Sequence, residues 1–89
     1  MRIVLKESFV RDFKALKNNK PLIRKADDFI QNVSKAKSIR ELSSIKKING
    51  AKNHYRYRIG DYRLAFTKDK DTLILSRFLH RNKIYKEFP

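Results

Sequence analysis

The stretch Tyr55-Arg56-Tyr57-Arg58-Ile59-Gly60-Asp61-Tyr62-Arg63-Leu64-Ala65-Phe66 constrains this chain more than any other. Two alternating runs meet at Gly60-Asp61, the pattern of a β-hairpin with a short turn. Alternation sends Tyr55, Tyr57 and Ile59 to one face and Arg56 and Arg58 to the other. A turn of two residues then sets Arg58 directly opposite Arg63. Like charges facing each other across a strand pair destabilise a sheet. A sequence that breaks a local rule in this way usually does so at a functional surface. A sheet face bearing Arg56, Arg58 and Arg63 is suited to holding phosphate.

The rest of the composition agrees with that reading. Lys and Arg number 23 against 9 Asp and Glu, a formal net charge of +14. So much self-repulsion points to a polyanionic partner: nucleic acid first, then an acidic protein, then an anionic membrane. The 89 residues, 40% of them hydrophobic, fit one domain over 1–89 with a small core. The absence of cysteine excludes a disulfide framework and thiolate chemistry, and fits a reducing compartment. No apolar run approaches the roughly 18 residues of a membrane helix, and Met1 to Lys6 is too short for a signal-peptide core. The expectation is a cytoplasmic protein with no membrane partner.

Periodicity gives the architecture. Arg2 to Lys6 reads as a strand, and Ser8 as the N-cap of a helix whose apolar stripe is Phe9, Phe13 and Leu16. After Asn18-Asn19-Lys20, Pro21 suits the first turn of a second helix with stripe Leu22, Ala26, Phe29, Ile30 and Val33. Ser38 to Glu41 has capping-box spacing, which predicts a short helix from Ile39 to Ser43. Lys46 to Asn53 reads as a basic loop. Past the hairpin, Lys68 to Asp71 forms a turn, and Thr72 to Leu79 a strand, apolar on both faces at Leu73-Ile74-Leu75 and so central. His80 to Pro89 makes a short helical tail. The class is α+β: an N-terminal strand, a helical hairpin, and a C-terminal antiparallel strand meander forming one small twisted sheet.

Standard site chemistries are mostly excluded. Two glycines cannot build a P-loop or a dinucleotide fingerprint. Two histidines without cysteine give no metal cluster, and no cofactor is expected. No supporting motif surrounds Ser76 for a triad, and a carboxylate pair has little support. What remains is a cationic, aromatic surface with His54 and His80. Cutting RNA without metal requires a group that takes the 2′-hydroxyl proton, cations that stabilise the phosphate, and a donor to the leaving 5′-oxygen. Arg58, Arg63, His80, Arg81 and Tyr85 form that set if the tail folds beside the hairpin. Arg56, Arg58, Lys46, Lys47 and His54 are the RNA-binding candidates. Plainer roles exist for several of these: packing for Tyr55, Tyr57 and Tyr62, anchoring the tail for Tyr85, and solvation for Lys46 and Lys47.

Tyr57-Arg58-Ile59-Gly60-Asp61-Tyr62-Arg63-Leu64, followed by Leu79-His80-Arg81-Asn82-Lys83-Ile84-Tyr85, resembles the signature of RelE-type toxins of the RelE/ParE toxin-antitoxin superfamily. The resemblance spans nearly the whole chain. It implies a small basic α+β toxin that enters the ribosomal A site and cuts mRNA without metal. It also implies a neutralising antitoxin, expected to be acidic and partly helical. By the same resemblance Arg63 stabilises phosphate, Arg81 serves leaving-group chemistry and Tyr85 orients substrate. Arg56 and Arg58 stand where the best-known members carry lysines, one of them proposed as the base. Arginine stays protonated, which leaves His80, His54 or pure positioning for that role. A ParE-type gyrase inhibitor and a non-catalytic RNA- or ribosome-binding module are the alternatives.

Overall fold

The computed structural model describes residues 1–38, 45–48 and 52–87. The chain runs β1 (Arg2–Leu5), α1 (Glu7–Ala15), α2 (Lys20–Lys35), β2 (Ile45–Lys47), β3 (His54–Ile59), β4 (Tyr62–Asp69), β5 (Thr72–His80) and α3 (Arg81–Glu87). The strands form one sheet in the order β1-β5-β4-β3-β2. Neighbours β2 to β5 are antiparallel, while β1 lies parallel to β5.

The hairpin is the expected one. Ile59 pairs with Tyr62 and Arg58 with Arg63 across the two-residue turn. Gly60 has φ +57°, the positive value that a tight hairpin turn needs at its first central position. The β5 strand lies between β1 and β4, as Leu73 and Leu75 imply. Ile74 is only partly buried, so the second face of this strand is incompletely covered. A bulge follows: Ala65 pairs with Arg77 but Phe66 with Leu75, which leaves Ser76 without a partner on β4.

Helices α1 and α2 cover one face. Phe9, Leu22, Ala26, Phe29 and Val33 pack on Ile59, Leu64, Phe66, Leu73, Leu75 and Phe78. Tyr55 stacks on Phe66 with centroids 5.6 Å apart, and Tyr57 on Phe29 at 4.0 Å. The hairpin tyrosines therefore serve the core. Ile84 and Ala65 are buried outside this cluster, where α3 covers part of the opposite face.

Two local expectations need correction. Ser8 does not cap α1: extended Lys6 holds the cap position without a side-chain bond. The Ser8 hydroxyl instead donates to the carbonyl of Ser76, at the bulge, 2.6 Å away. Tertiary demand for a donor there outweighs the local cap. The second correction is that Lys46 and Lys47, the start of the supposed basic loop, belong with Ile45 to edge strand β2. At α2, Asn19 caps by accepting from the Leu22 N–H (3.4 Å), with Pro21 in the first turn. The helix expected over Ile39 to Ser43 lies outside the described residues.

Asp12 on α1 ties the layers together. Its carboxylate accepts from Arg77 Nε (2.8 Å), Arg77 Nη2 (3.2 Å) and the Phe78 backbone N–H (2.9 Å). Arg77 also reaches Glu87 of α3 at 3.3 Å. The hydrogen bond to Asp12 raises the Arg77 pKa above its ordinary value. Desolvation opposes that rise, while the charges of Asp12 and Glu87 add to it. A raised pKa gives stability that is fully present below the ordinary arginine range and is lost only as pH rises through the folded value. Alkali within the working range therefore leaves the pair intact. Removing the carboxylate does not: Asp12→Ala strands the Phe78 N–H and should cost about 2 kcal/mol, a fall in Tm on the order of 10 °C by scanning calorimetry.

Candidate functional site

Strand parity sorts the charged residues. Arg56 pairs with Ala65, Arg58 with Arg63 and Lys46 with Arg56, so Lys46, Arg56, Arg58 and Arg63 share the face away from α1 and α2. Tyr85 comes to the same face on α3. Together these five residues line a cleft of ≈ 240 Å³. That is below the roughly 300 Å³ of the smallest drug-sized pockets, and suits a phosphodiester better than a large cofactor. None of its four cations is paired with a carboxylate among the described residues.

The arginines are held differently. Arg63 is 9% exposed, and its Nη1 donates to the turn carbonyls of Gly60 (2.7 Å) and Tyr62 (2.9 Å). Two bonds from one nitrogen fix the guanidinium before any ligand arrives, and the turn's carbonyl dipoles offset the charge opposed by Arg58. Arg58 itself is exposed. Arg56 places its guanidinium carbon 5.0 Å from the centroid of the Tyr85 ring, a cation–π contact. Tyr85 remains 58% exposed, its neighbour Ile84 being the buried anchor of α3.

The other candidates lie elsewhere. His80 ends β5 and pairs with Tyr62, so parity places it on the core side of the sheet. Its ring stands edge-on to Tyr62 at 5.5 Å. Its Nδ1 accepts the Asn82 N–H at 3.2 Å, so His80 caps α3, and a neutral ring then carries its proton on Nε2. Arg81 opens α3 with its side chain exposed and its N–H donating to Asp61 at the hairpin turn (2.8 Å). It is not among the residues lining the cleft. His54 shares the arginine face by parity, and its Nδ1 bonds the Lys52 carbonyl at 2.6 Å, but it too lies outside the lining. Lys47 pairs with Tyr55 and so falls on the opposite face from Lys46. Sequence reasoning treats Lys46 and Lys47 alike because it reads them as loop, where parity has no meaning.

Among the described residues, no group of His, Asp and Glu is placed to hold a metal ion, and no helix is long and apolar enough to cross a membrane.

Comparison with known proteins gives a consistent result. Residues 3–85 match the model of the ParE toxin of the type II toxin-antitoxin system. The chain is 34% identical over 90 residues, covering all of both chains, to toxin RelE3 of Methanocaldococcus jannaschii. It resembles a chain of the RelB-RelE antitoxin-toxin complex from Methanococcus jannaschii, with TM-score 0.62, 33% identity, and coverage of 97% of this chain and 99% of that one. It shares its fold with YafQ from E. coli strain BL21(DE3), at TM-score 0.76 and 12% identity over 96% and 99% of the two chains.

Proposed function

This chain belongs to the RelE/ParE family of type II toxins, and from that premise we propose that it is a ribosome-dependent, metal-independent mRNA endonuclease that halts translation. The observation that carries the proposal is the cleft of Lys46, Arg56, Arg58, Arg63 and Tyr85. Four cations in one cleft repel a metal ion but neutralise a phosphodiester, whose charge grows as the 2′-oxygen attacks.

Arg63, held by the turn carbonyls, is the fixed phosphate ligand. Arg58 opposite it supplies a second, mobile guanidinium. Arg56 holds the Tyr85 ring from one side, leaving its exposed side for a base or ribose to pack against. Arg81, exposed at the start of α3, contacts RNA flanking the cleft in this reading, and His80 acts by capping the helix that carries Tyr85. Lys47 and His54 extend the basic surface beyond the cleft. The partner is an antitoxin, the class of protein that accompanies the Methanococcus jannaschii toxin in its complex. An acidic, partly helical segment laid over the arginine face would neutralise it. The site of action is the cytoplasm, where translation runs.

Primer extension on transcripts after brief induction tests this reading. New 5′ ends inside translated regions, requiring ribosomes, are the expected result. Intact transcripts with a DNA-damage response would replace it with gyrase inhibition. Intact transcripts with ribosome binding and normal growth would leave a binding module. A second test isolates the aromatic platform. Tyr85→Ala should leave stability within about 0.5 kcal/mol yet weaken binding of a short RNA roughly tenfold, the lower end of a base–aromatic stack, as measured by fluorescence anisotropy.

A further inference from the structure

The cleft has phosphate ligands but no histidine and no carboxylate among the described residues that line it. Arg56, Arg58 and Arg63 stay protonated and cannot take up a proton. His80 is engaged on the other side of the sheet, capping α3. His54 lies two residues before Arg56, outside the lining. Of the lining side chains only Lys46 and Tyr85 exchange protons at all, and of the two an amine is much the better proton acceptor. Lys46 is brought there by β2, where it pairs directly with Arg56 and points to the same face.

We propose that Lys46, on the edge strand beside the arginine hairpin, is the general base of the cleavage reaction. The proposal rests on the endonuclease reading above. In the step, the neutral Lys46 amine takes the proton of the RNA 2′-hydroxyl as the 2′-oxygen attacks the adjacent phosphorus. The phosphorus–5′-oxygen bond breaks, and the departing oxygen takes a proton from water. The products are a 2′,3′-cyclic phosphate and a free 5′-hydroxyl. The lysine proton then returns to the hydroxide left behind, so the balance closes without any further reactant. Arg56, Arg58 and Arg63 hold the phosphate throughout.

The absence of cysteine from the chain allows a site-specific test. In single-turnover cleavage on ribosomes programmed with mRNA, Lys46→Arg keeps the charge and removes the base. Its rate should fall by about 10²-fold or more, with the affinity for a short RNA changed less than about threefold. Lys46→Cys should be similarly impaired. Alkylating that single thiol with bromoethylamine rebuilds a slightly less basic amine of lysine length. Activity should return, with the rising limb of the pH–rate profile moved to lower pH. The same thiol capped with iodoacetamide should stay inactive. A Lys46→Arg protein that cleaves at the parent rate overturns the assignment while leaving the endonuclease reading in place. Equal rescue by the neutral cap likewise shows that proton transfer is not the role of this position. A parent protein that cleaves nothing on programmed ribosomes overturns both.

Discussion

Arg63→Ala should lower the single-turnover rate of mRNA cleavage about 10³-fold while leaving a folded protein. The rate loss follows from how this guanidinium is held. Its Nη1 is fixed by two carbonyls of its own turn, so no ordering is needed when charge builds on the phosphate. Removing one such preorganised donor from an enzyme typically costs about 10²–10³-fold, and a full unit of positive charge is lost with it in this case. The stability cost is modest by comparison. The two bonds to the carbonyls of Gly60 and Tyr62 are partly buried beside the exposed turn residues Gly60 and Asp61, so the loss should be about 2 kcal/mol. Arg63→Lys restores charge without the planar fork and should recover only part of the rate. Cleavage at the parent rate by a folded Arg63→Ala protein would remove the phosphate-ligand role altogether. The same substitution at Arg58, which is exposed, should cost less, because a mobile side chain must be ordered before it can act.

The like-charge pair is legible in the sequence because a two-residue turn leaves no freedom of register. Once Gly60-Asp61 is the turn, Arg58 must face Arg63, and the two are paired. The helix stripes are equally readable, since Leu22, Ala26, Phe29 and Val33 recur at helical spacing and all are buried. What stays hidden depends on pairings made at long range. Ile45-Lys46-Lys47 contains one apolar residue, so nothing local marks it as strand, and β3 alone recruits it. Missing that strand also conceals the parity that parts Lys46 from Lys47. His80 is misplaced by sequence reasoning for a related reason. Strand β5 runs one residue beyond Leu79, and each added residue reverses the face. A histidine read as part of a helical tail beside the arginines thus becomes the cap of α3 on the core side. Ser8 shows the same priority: a good local cap is given up because the Ser76 carbonyl, left over at a bulge, needs a donor.

Phe78→Ala is expected to destabilise the fold more than Asp12→Ala, Arg63→Ala or Tyr85→Ala, at about 3–5 kcal/mol. Phe78 is 1% exposed, and its ring lies 6.2 Å from Phe9, 6.4 Å from Phe13 and 6.1 Å from Tyr62. It joins α1 to the end of β5, where α3 begins. A domain of this size has a stability near the lower end of the usual range of about 5–15 kcal/mol, so the variant should be partly unfolded at physiological temperature. Urea denaturation would read this as a lower midpoint at an unchanged m-value. A loss under about 1 kcal/mol would mean that Phe9, Phe13 and Tyr62 close the gap by themselves. Because Asp12 holds the Phe78 N–H, Phe78→Ala and Asp12→Ala share one structural joint. Together they should cost less than the sum of the two, with a coupling of about 0.5–3 kcal/mol. Cleavage by Phe78→Ala should fall in proportion to the fraction unfolded and recover on cooling, whereas Arg63→Ala should stay inactive at every temperature. That contrast separates a residue that holds the fold together from a proposed phosphate ligand.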